Sequence, residues 1–295
     1  MDKNIRLGVM YGLACYIIWG ILPIYWKQIH HVSAFEILAN RFIWCLVFVY
    51  ILIIYLNKKE EFISEAKAVF SSTKSAAMMV LAAIMLSFNW GIFIWAVEDG
   101  RILETSLGYY INPMLNVLLG LVFLKEKLSR LQWAAVALAC SGIGVMVIRT
   151  GYLPWVSIAV PGSFAIYGLL KKFIKVSPFT STLLETLIIS PLALAYIGYL
   201  YSQGKSAFQL YDLTTLLYLV GAGVVTATPI LFFTACAKLL PLNMVGFMQY
   251  LSPSMSMVIG IFMYNEAFTS THAMTFALIW TGLLIFTYSQ FQGKK

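Results

Sequence analysis

Two charged residues lie inside long apolar stretches of the chain, where a charge is energetically expensive. Arg41 belongs to the segment ANRFIW, and Glu185 takes the comparable place in LLETLIISPLAL. A charge at membrane depth normally faces the protein interior and belongs to a pathway or a partnership. Three interpretations stay open. Arg41 and Glu185 form a structural ion pair, they form a substrate or proton site, or the long arginine only extends its head towards the interface.

Polar residues beside prolines form a second candidate site. Residues 109–126, YYINPMLNVLLGLVFLKE, return 140 positions later as residues 249–266, QYLSPSMSMVIGIFMYNE. A proline inside a helix leaves one carbonyl without its hydrogen-bond donor. Small polar side chains nearby can hydrogen-bond to such a carbonyl or to a ligand. Each proline taken alone is also explained by a structural kink in the helix. The candidate residues are Asn112, Pro113, Asn116, Gln249, Tyr250, Ser252 and Pro253.

The segment SFNWGIFIWAVEDG suggests an aromatic-lined cavity. Asn89 and Phe93 share one face at helical spacing, and Trp90 adds a large aromatic surface. Such a cavity suits an amphipathic substrate. A packed core would use the same residues, so both interpretations stay open.

The composition indicates an integral membrane protein. The chain is 61% hydrophobic and only 11% charged, whereas a soluble domain carries roughly 25% charged residues. Apolar stretches of about 20 residues cross a membrane as helices. We predict ten of them, at residues 6–26, 35–56, 76–97, 103–124, 131–149, 153–173, 179–201, 213–236, 243–264 and 271–291.

The internal repeat predicts the domain organisation. Its register continues beyond the prolines, since Gly120 matches Gly260 and Glu126 matches Glu266. An odd number of helices in each copy would invert the second copy relative to the first. We therefore predict an all-α integral membrane protein whose ten transmembrane helices form two inverted five-helix repeats, residues 1–150 and 151–295.

The positive charges predict the topology. Fifteen of the 20 lysines and arginines fall on one side of the membrane, which places both termini in the cytoplasm. This bias accounts for the net charge of +8, so a nucleic-acid partner is not needed to explain it. The four cysteines lie in apolar spans without paired spacing, so we expect no cofactor and no metal. The first apolar run is long and lacks a cleavage signal, so we expect a retained helix.

Sequence motifs argue against an enzyme. The segment GYLYSQGKS has five residues between its glycines, where a phosphate-binding loop has four. The metalloprotease and hydrolase motifs HExxH and GxSxG are missing from the sequence. Inverted repeats whose helices contain prolines and scattered polar residues are typical of secondary transporters with a substrate site near the midplane of the membrane. A membrane-embedded enzyme or a scaffold that transports nothing is the alternative.

Long ordered motifs resemble a known family. The runs NWGIFIWAVEDGRILETSLGYYINPMLNVLLGLVFLKEKL, PWVSIAVPGSFAIYGLLKK, LLETLIISPLAL and LPLNMVGFMQYLSPSM are similar to the RarD branch of EamA-type transporters in the drug/metabolite transporter superfamily. The resemblance covers almost the whole chain and implies ten transmembrane helices and a permease role. The chain departs from the family pattern at Lys171 and Lys172, where arginine is usual, and at Asn265.

The function we expect is a secondary exporter of small metabolites or amphipathic drugs across the cell membrane. Its partners would be the lipid bilayer and a small-molecule substrate. If transport is coupled to protons, Glu185 is the candidate carrier. Substrate, direction, coupling ion and oligomeric state, including a homodimer, stay open at the level of sequence.

Overall fold

The structure is a computed structural model that describes residues 3–98, 102–151, 155–264 and 269–292. The described chain is helical and contains no strand. Its helices are α1 (Lys3–Lys27), α2 (Ala34–Tyr55), α3 (Lys59–Phe70), α4 (Thr73–Glu98), α5 (Ile102–Phe123), α6 (Arg130–Thr150), α7 (Val156–Phe173), α8 (Pro178–Ser202), α9 (Ala207–Leu210), α10 (Leu213–Leu239), α11 (Leu242–Met248), α12 (Leu251–Tyr264) and α13 (Ser270–Gln292).

Several helical segments are long and apolar enough to cross a membrane. In the described chain there are six, at Lys3–Lys27, Ala34–Tyr55, Thr73–Phe93, Arg130–Arg149, Pro178–Leu210 and Leu213–Leu239. Two shorter apolar helical stretches are Gly108–Phe123 and Ala273–Ser289. These lengths confirm a multi-pass membrane protein.

The predicted spans coincide with helices to within a few residues at each end, with one exception. The predicted span 243–264 is divided at Gln249 and Tyr250 into α11 and α12. Pro253 contributes to the division, because it has no N–H to donate to the Gln249 carbonyl four residues earlier. That carbonyl accepts a hydrogen bond from Ser252 N at 3.3 Å instead. Pro113, by contrast, lies within a continuous α5.

Local signals fix where other helices begin and end. Ser129 and Gln132 form a capping box at the start of α6, and Gly151, with φ of 84°, follows its last turn in the left-handed region. Ser177 accepts a hydrogen bond from Thr180 N at the start of α8. Asp212 accepts one from Thr215 N at the start of α10.

The helices before residue 150 pack mainly against helices after it. α1 contacts α10 and α12, α7 contacts α4 and α5, α2 contacts α8 and α10, and α6 contacts α13. Close approach depends on glycine at two of these crossings. A Cβ atom at Gly223 of α10 would lie 2.2 Å from the Trp44 backbone of α2, and one at Gly282 of α13 would lie 2.8 Å from the Ala135 carbonyl of α6.

Five large aromatic side chains pack together where α1, α7 and α10 meet. They are Tyr16, Trp19, Phe164, Tyr167 and Phe233, and we call them the aromatic cluster. The Phe164 and Phe233 rings are 5.1 Å apart between centres, and the Tyr167 and Phe233 rings are stacked at 5.8 Å. This cluster lies at the centre of the candidate site.

Candidate functional site

A carboxylate and an ammonium group form a buried ion pair beside the aromatic cluster. Glu185 is 1% exposed and Lys171 is fully buried. Lys171 Nζ donates to Glu185 Oε1 and, at 2.8 Å, to Ser181 Oγ. Ser181 Oγ donates to the same Oε1 atom at 3.0 Å, and the Tyr167 hydroxyl donates to Oε2 at 3.1 Å. Glu185 is therefore fully supplied with donors and charge-compensated in this conformation.

Helical spacing brings these four groups together. Tyr167 and Lys171 are four residues apart on α7, and Ser181 and Glu185 are four residues apart on α8. Side chains at this spacing lie on the same helix face. Each helix thus presents two polar groups on one face, and the Lys171 ammonium also lies 4.8 Å from the Tyr167 ring centre.

Arg41 forms a separate cationic site. Its Nε donates to Thr226 Oγ1 of α10 at 3.1 Å. Its guanidinium carbon lies 4.8 Å from the Trp26 ring centre and 4.0 Å from the Trp90 ring centre, which is cation–π contact distance for both. Trp90 also packs against the hydrophobic core that contains the aromatic cluster. Arg41 therefore contacts the edge of the hydrophobic core that contains the aromatic cluster.

The structure does not pair Arg41 with Glu185. Glu185 has taken Lys171 as its cation, while Arg41 donates to a hydroxyl and lies between indole rings. The structural pair that the repeat register suggested is therefore absent from this conformation. The reason is local, since Lys171 lies on the helix just before that of Glu185, whereas Arg41 is held by Thr226 and the two tryptophans.

Two amides from the repeated segments bond to each other. Asn116 Nδ2 of α5 donates to Oε1 of Gln249, which lies between α11 and α12. Both side chains are buried, and Asn116 Oδ1 has no hydrogen-bond partner in the described chain. A Cβ at Gly168 would lie 3.6 Å from this oxygen and 3.4 Å from the Phe233 ring, which places the oxygen close to Phe233. The amide pair therefore adjoins the aromatic cluster.

The other candidate residues of the repeated segments take part in packing, and some of them carry polar atoms. The Tyr250 hydroxyl donates to the Tyr110 carbonyl at 3.2 Å. Pro113 is buried, and its carbonyl lies 2.8 Å from where a Cβ at Gly246 would be. Asn112 is buried, and its Oδ1 has no partner among the described residues. Ser252 and Pro253 are half-buried at the start of α12.

Asn89 joins two helices. Its Nδ2 donates to the Val160 carbonyl at 2.6 Å and to Ser163 Oγ at 3.3 Å, both on α7. These bonds connect α4 to α7 at Asn89, which is the residue just before Trp90. Asn89 is thus positioned to orient the helix that carries Trp90, and its own amide group is already occupied by protein.

An apolar groove also lies away from these polar groups. It has a volume of about 330 Å³ and runs between α1 and α10. Its lining is Ile18, Ile21, Leu22, Ile24, Tyr25, Gln28, Tyr218 and Val225. This lining offers few polar groups that could orient a ligand, so we place the candidate site at the aromatic cluster.

Some residues of the site were not identified from sequence. Lys171 stood out only as a departure from the family pattern, although its spacing of four from Tyr167 was a usable signal. Trp26 and Thr226 were not among the candidate residues. Asn265 and Glu266 lie outside the described residues.

Comparisons with known proteins agree with this picture. The EamA-like transporter family matches residues 6–148. The uncharacterized transporter YojE of Bacillus subtilis is 42% identical, over 98% of this chain and 96% of that protein. The protein RarD of Escherichia coli is 38% identical, over 99% of this chain and 99% of that protein. An uncharacterized transporter of Vibrio cholerae is 42% identical, over 97% of this chain and 93% of that protein.

A solved crystal structure has a similar fold. It aligns with a TM-score of 0.71 at 16% identity, and the alignment covers 95% of this chain and 97% of that chain. At this identity the likeness concerns the fold alone. The near-complete coverage of the curated relatives, several of them named transporters, extends the match beyond the first half of the chain. The chain belongs to the EamA family of membrane transporters and, within it, to the RarD-type permeases.

Proposed function

We propose that this protein is a secondary transporter that exports small metabolites or amphipathic drugs across the cytoplasmic membrane by alternating access. One observation carries the proposal. Two buried polar pairs, Glu185–Lys171 and Asn116–Gln249, adjoin an aromatic cluster that takes side chains from both halves of the chain. The half-buried Arg41 contacts Trp90, which packs against the same hydrophobic core. Transporters built from repeats bind substrate where the repeats meet.

Reciprocal helix contacts support two inverted repeats, residues 1–150 and 151–295. The contact of α1 with α10 has a counterpart in the contact of α7 with α4, and the contact of α5 with α7 has one in α12 with α1. One feature differs, because α5 is continuous whereas its counterpart is divided between α11 and α12. The division follows from the different packing around Pro113 and Pro253, so the two repeats match in their helix contacts but differ at this helix.

The side chains suit an amphipathic small molecule. Aromatic rings supply apolar area, while Arg41, the Glu185–Lys171 pair and the Asn116–Gln249 pair supply charge and hydrogen bonds. Pockets for small ligands combine apolar walls with a few such polar groups. Asn112, Ser252 and the two prolines would shape the same space from the repeated segments.

Glu185 is the candidate for proton coupling. In this conformation it accepts hydrogen bonds from Lys171, Ser181 and Tyr167. A role in coupling would therefore require the Lys171–Glu185 contact to open during the cycle. Alternating access supplies such a movement if α7 and α8 separate during the cycle.

Release of metabolites from cells tests the proposed function. We would compare the medium of cells that express the intact chain with that of cells that express an Arg41→Gln, Glu185→Gln variant at equal membrane abundance. The intact chain should increase one or more small organic compounds in the medium. Identical media would contradict export and favour the alternative of a scaffold or membrane-embedded enzyme.

A further inference from the structure

The Arg41 guanidinium is fixed by groups from three other helices but is not neutralised by them. Trp26 of α1 and Trp90 of α4 face it at 4.8 Å and 4.0 Å, and Thr226 of α10 accepts from its Nε. Neither Nη atom has a hydrogen-bond or ion-pair partner in the part of the chain that the structure describes. The free edge of the guanidinium is the planar fork that binds carboxylates and phosphates.

The buried carboxylates of the described chain, Glu36 and Glu185, bind groups other than Arg41. Glu36, one and a half turns before Arg41 on α2, accepts from Ser206 Oγ at 2.9 Å and Ala207 N at 2.7 Å. Glu185 is paired with Lys171. An uncompensated charge within an apolar region is costly. Among the residues that the structure describes, the Arg41 guanidinium therefore has no anionic partner.

The surroundings of Arg41 indicate which kind of anion fits. Trp90 packs against Phe42 at 5.3 Å between ring centres and against the core that contains the aromatic cluster. A ligand whose acidic group met the Nη atoms would extend along this aromatic surface. An inorganic anion would satisfy the charge but would leave that surface unused.

We propose that Arg41, held between Trp26 and Trp90, binds the acidic group of an organic anion that carries a flat apolar part. This inference rests on the proposed transport function, because it names the substrate class of the same site. Binding itself does not require transport, so the two proposals can fail separately.

Equilibrium binding to the full-length protein in lipid nanodiscs tests the inference. The probes are radiolabelled indole-3-acetate and its neutral amide, indole-3-acetamide, which differ chiefly in charge. The acid should bind at least about 10-fold more tightly than the amide. Arg41→Gln should weaken binding of the acid by about 10-fold to 100-fold and leave the amide unchanged. Chloride should not displace the acid, and Arg149→Gln, an exposed arginine on α6, serves as the matched control.

Several results would overturn the inference. They are equal binding of acid and amide, no binding of either, displacement by chloride at equal ionic strength, or unchanged acid binding by Arg41→Gln. If Arg41→Gln gives no folded protein, Thr226→Val replaces it, because it removes only the bond that orients the guanidinium. That variant should still weaken acid binding by about 10-fold, which is near the lower end for one hydrogen bond to a charged group.

Flux measurements separate this inference from the transport proposal. Binding of indole-3-acetate without flux of that compound across proteoliposomes would leave the binding site standing and contradict transport of this class. Flux of another compound, together with equal binding of acid and amide, would leave the transport function standing and overturn the role of Arg41.

Discussion

Removing one partner of the Lys171–Glu185 pair should destabilise the protein more than removing both charges. The two side chains are 0% and 1% exposed. At an effective dielectric constant of about 20, two unit charges about 4 Å apart attract each other by about 4 kcal/mol. Leaving one charge of a buried pair uncompensated costs about 3–5 kcal/mol. We expect losses of this size in the free energy of unfolding.

A double-mutant cycle measures this coupling. Lys171→Met leaves the Glu185 carboxylate with only the hydroxyl groups of Tyr167 and Ser181. Glu185→Gln leaves the Lys171 ammonium with neutral acceptors. The double variant removes both charges, so its loss should be smaller than either single loss and smaller than their sum by about 2 kcal/mol or more.

The assay is reversible unfolding of the purified protein in mixed micelles, followed by circular dichroism. The pair Lys58–Glu61 at the start of α3 provides the control cycle, because its side chains are 35% and 40% exposed. An exposed pair contributes about 0–1 kcal/mol. Additive effects at Lys171 and Glu185, or single losses no larger than those of the control pair, would refute the reasoning.

Two further predictions concern helix contact and helix capping. Gly223→Ala should lower the free energy of unfolding by about 1–3 kcal/mol, because its Cβ would lie 2.2 Å from the Trp44 backbone. Gly144→Ala is the control, because there is open space at its Cβ position. Equal thermal stability of the two variants would contradict the prediction. At Asp212, hydrogen bonds from Thr215 hold the carboxyl pKa below its usual range, so the cap stabilises the protein above the ordinary aspartate pKa and loses this effect as the pH falls through the lowered value. Asp212→Ser keeps the cap without titrating, so the stability difference between the wild type and this variant should change at acid pH; a difference independent of pH would exclude the role of the carboxylate.

The positions of the helices were predictable because long apolar runs and local caps determine them. The spans around Arg41 and Glu185 illustrate this, since both charges were expected inside helices and both lie there. The division at Gln249 and Tyr250 was harder to foresee. Pro113 and Pro253 remove equivalent hydrogen bonds, yet only the second is accompanied by a break. The difference lies in tertiary packing, which the repeat pattern does not contain.

The partners of the charged side chains were not predictable from the repeat register. That register placed Arg41 opposite Glu185, but the Lys171 side chain of α7 forms the ion pair with Glu185 of α8. A pair of adjacent lysines at the end of a span resembles an interfacial charge pattern, and only the spacing from Tyr167 shows which lysine points inwards. Thr226, which orients Arg41, is 185 positions away in the chain.

Flux across proteoliposomes tests the central claim most directly. The compound identified in the metabolite comparison would be measured in vesicles that contain the wild type, the Glu185→Gln variant or no protein, with and without a pH gradient. We predict saturable flux that requires the protein, and a loss of its gradient dependence in Glu185→Gln if Glu185 couples protons. Flux equal to that of protein-free vesicles, with correctly folded protein present, would contradict the assignment as a transporter of that compound.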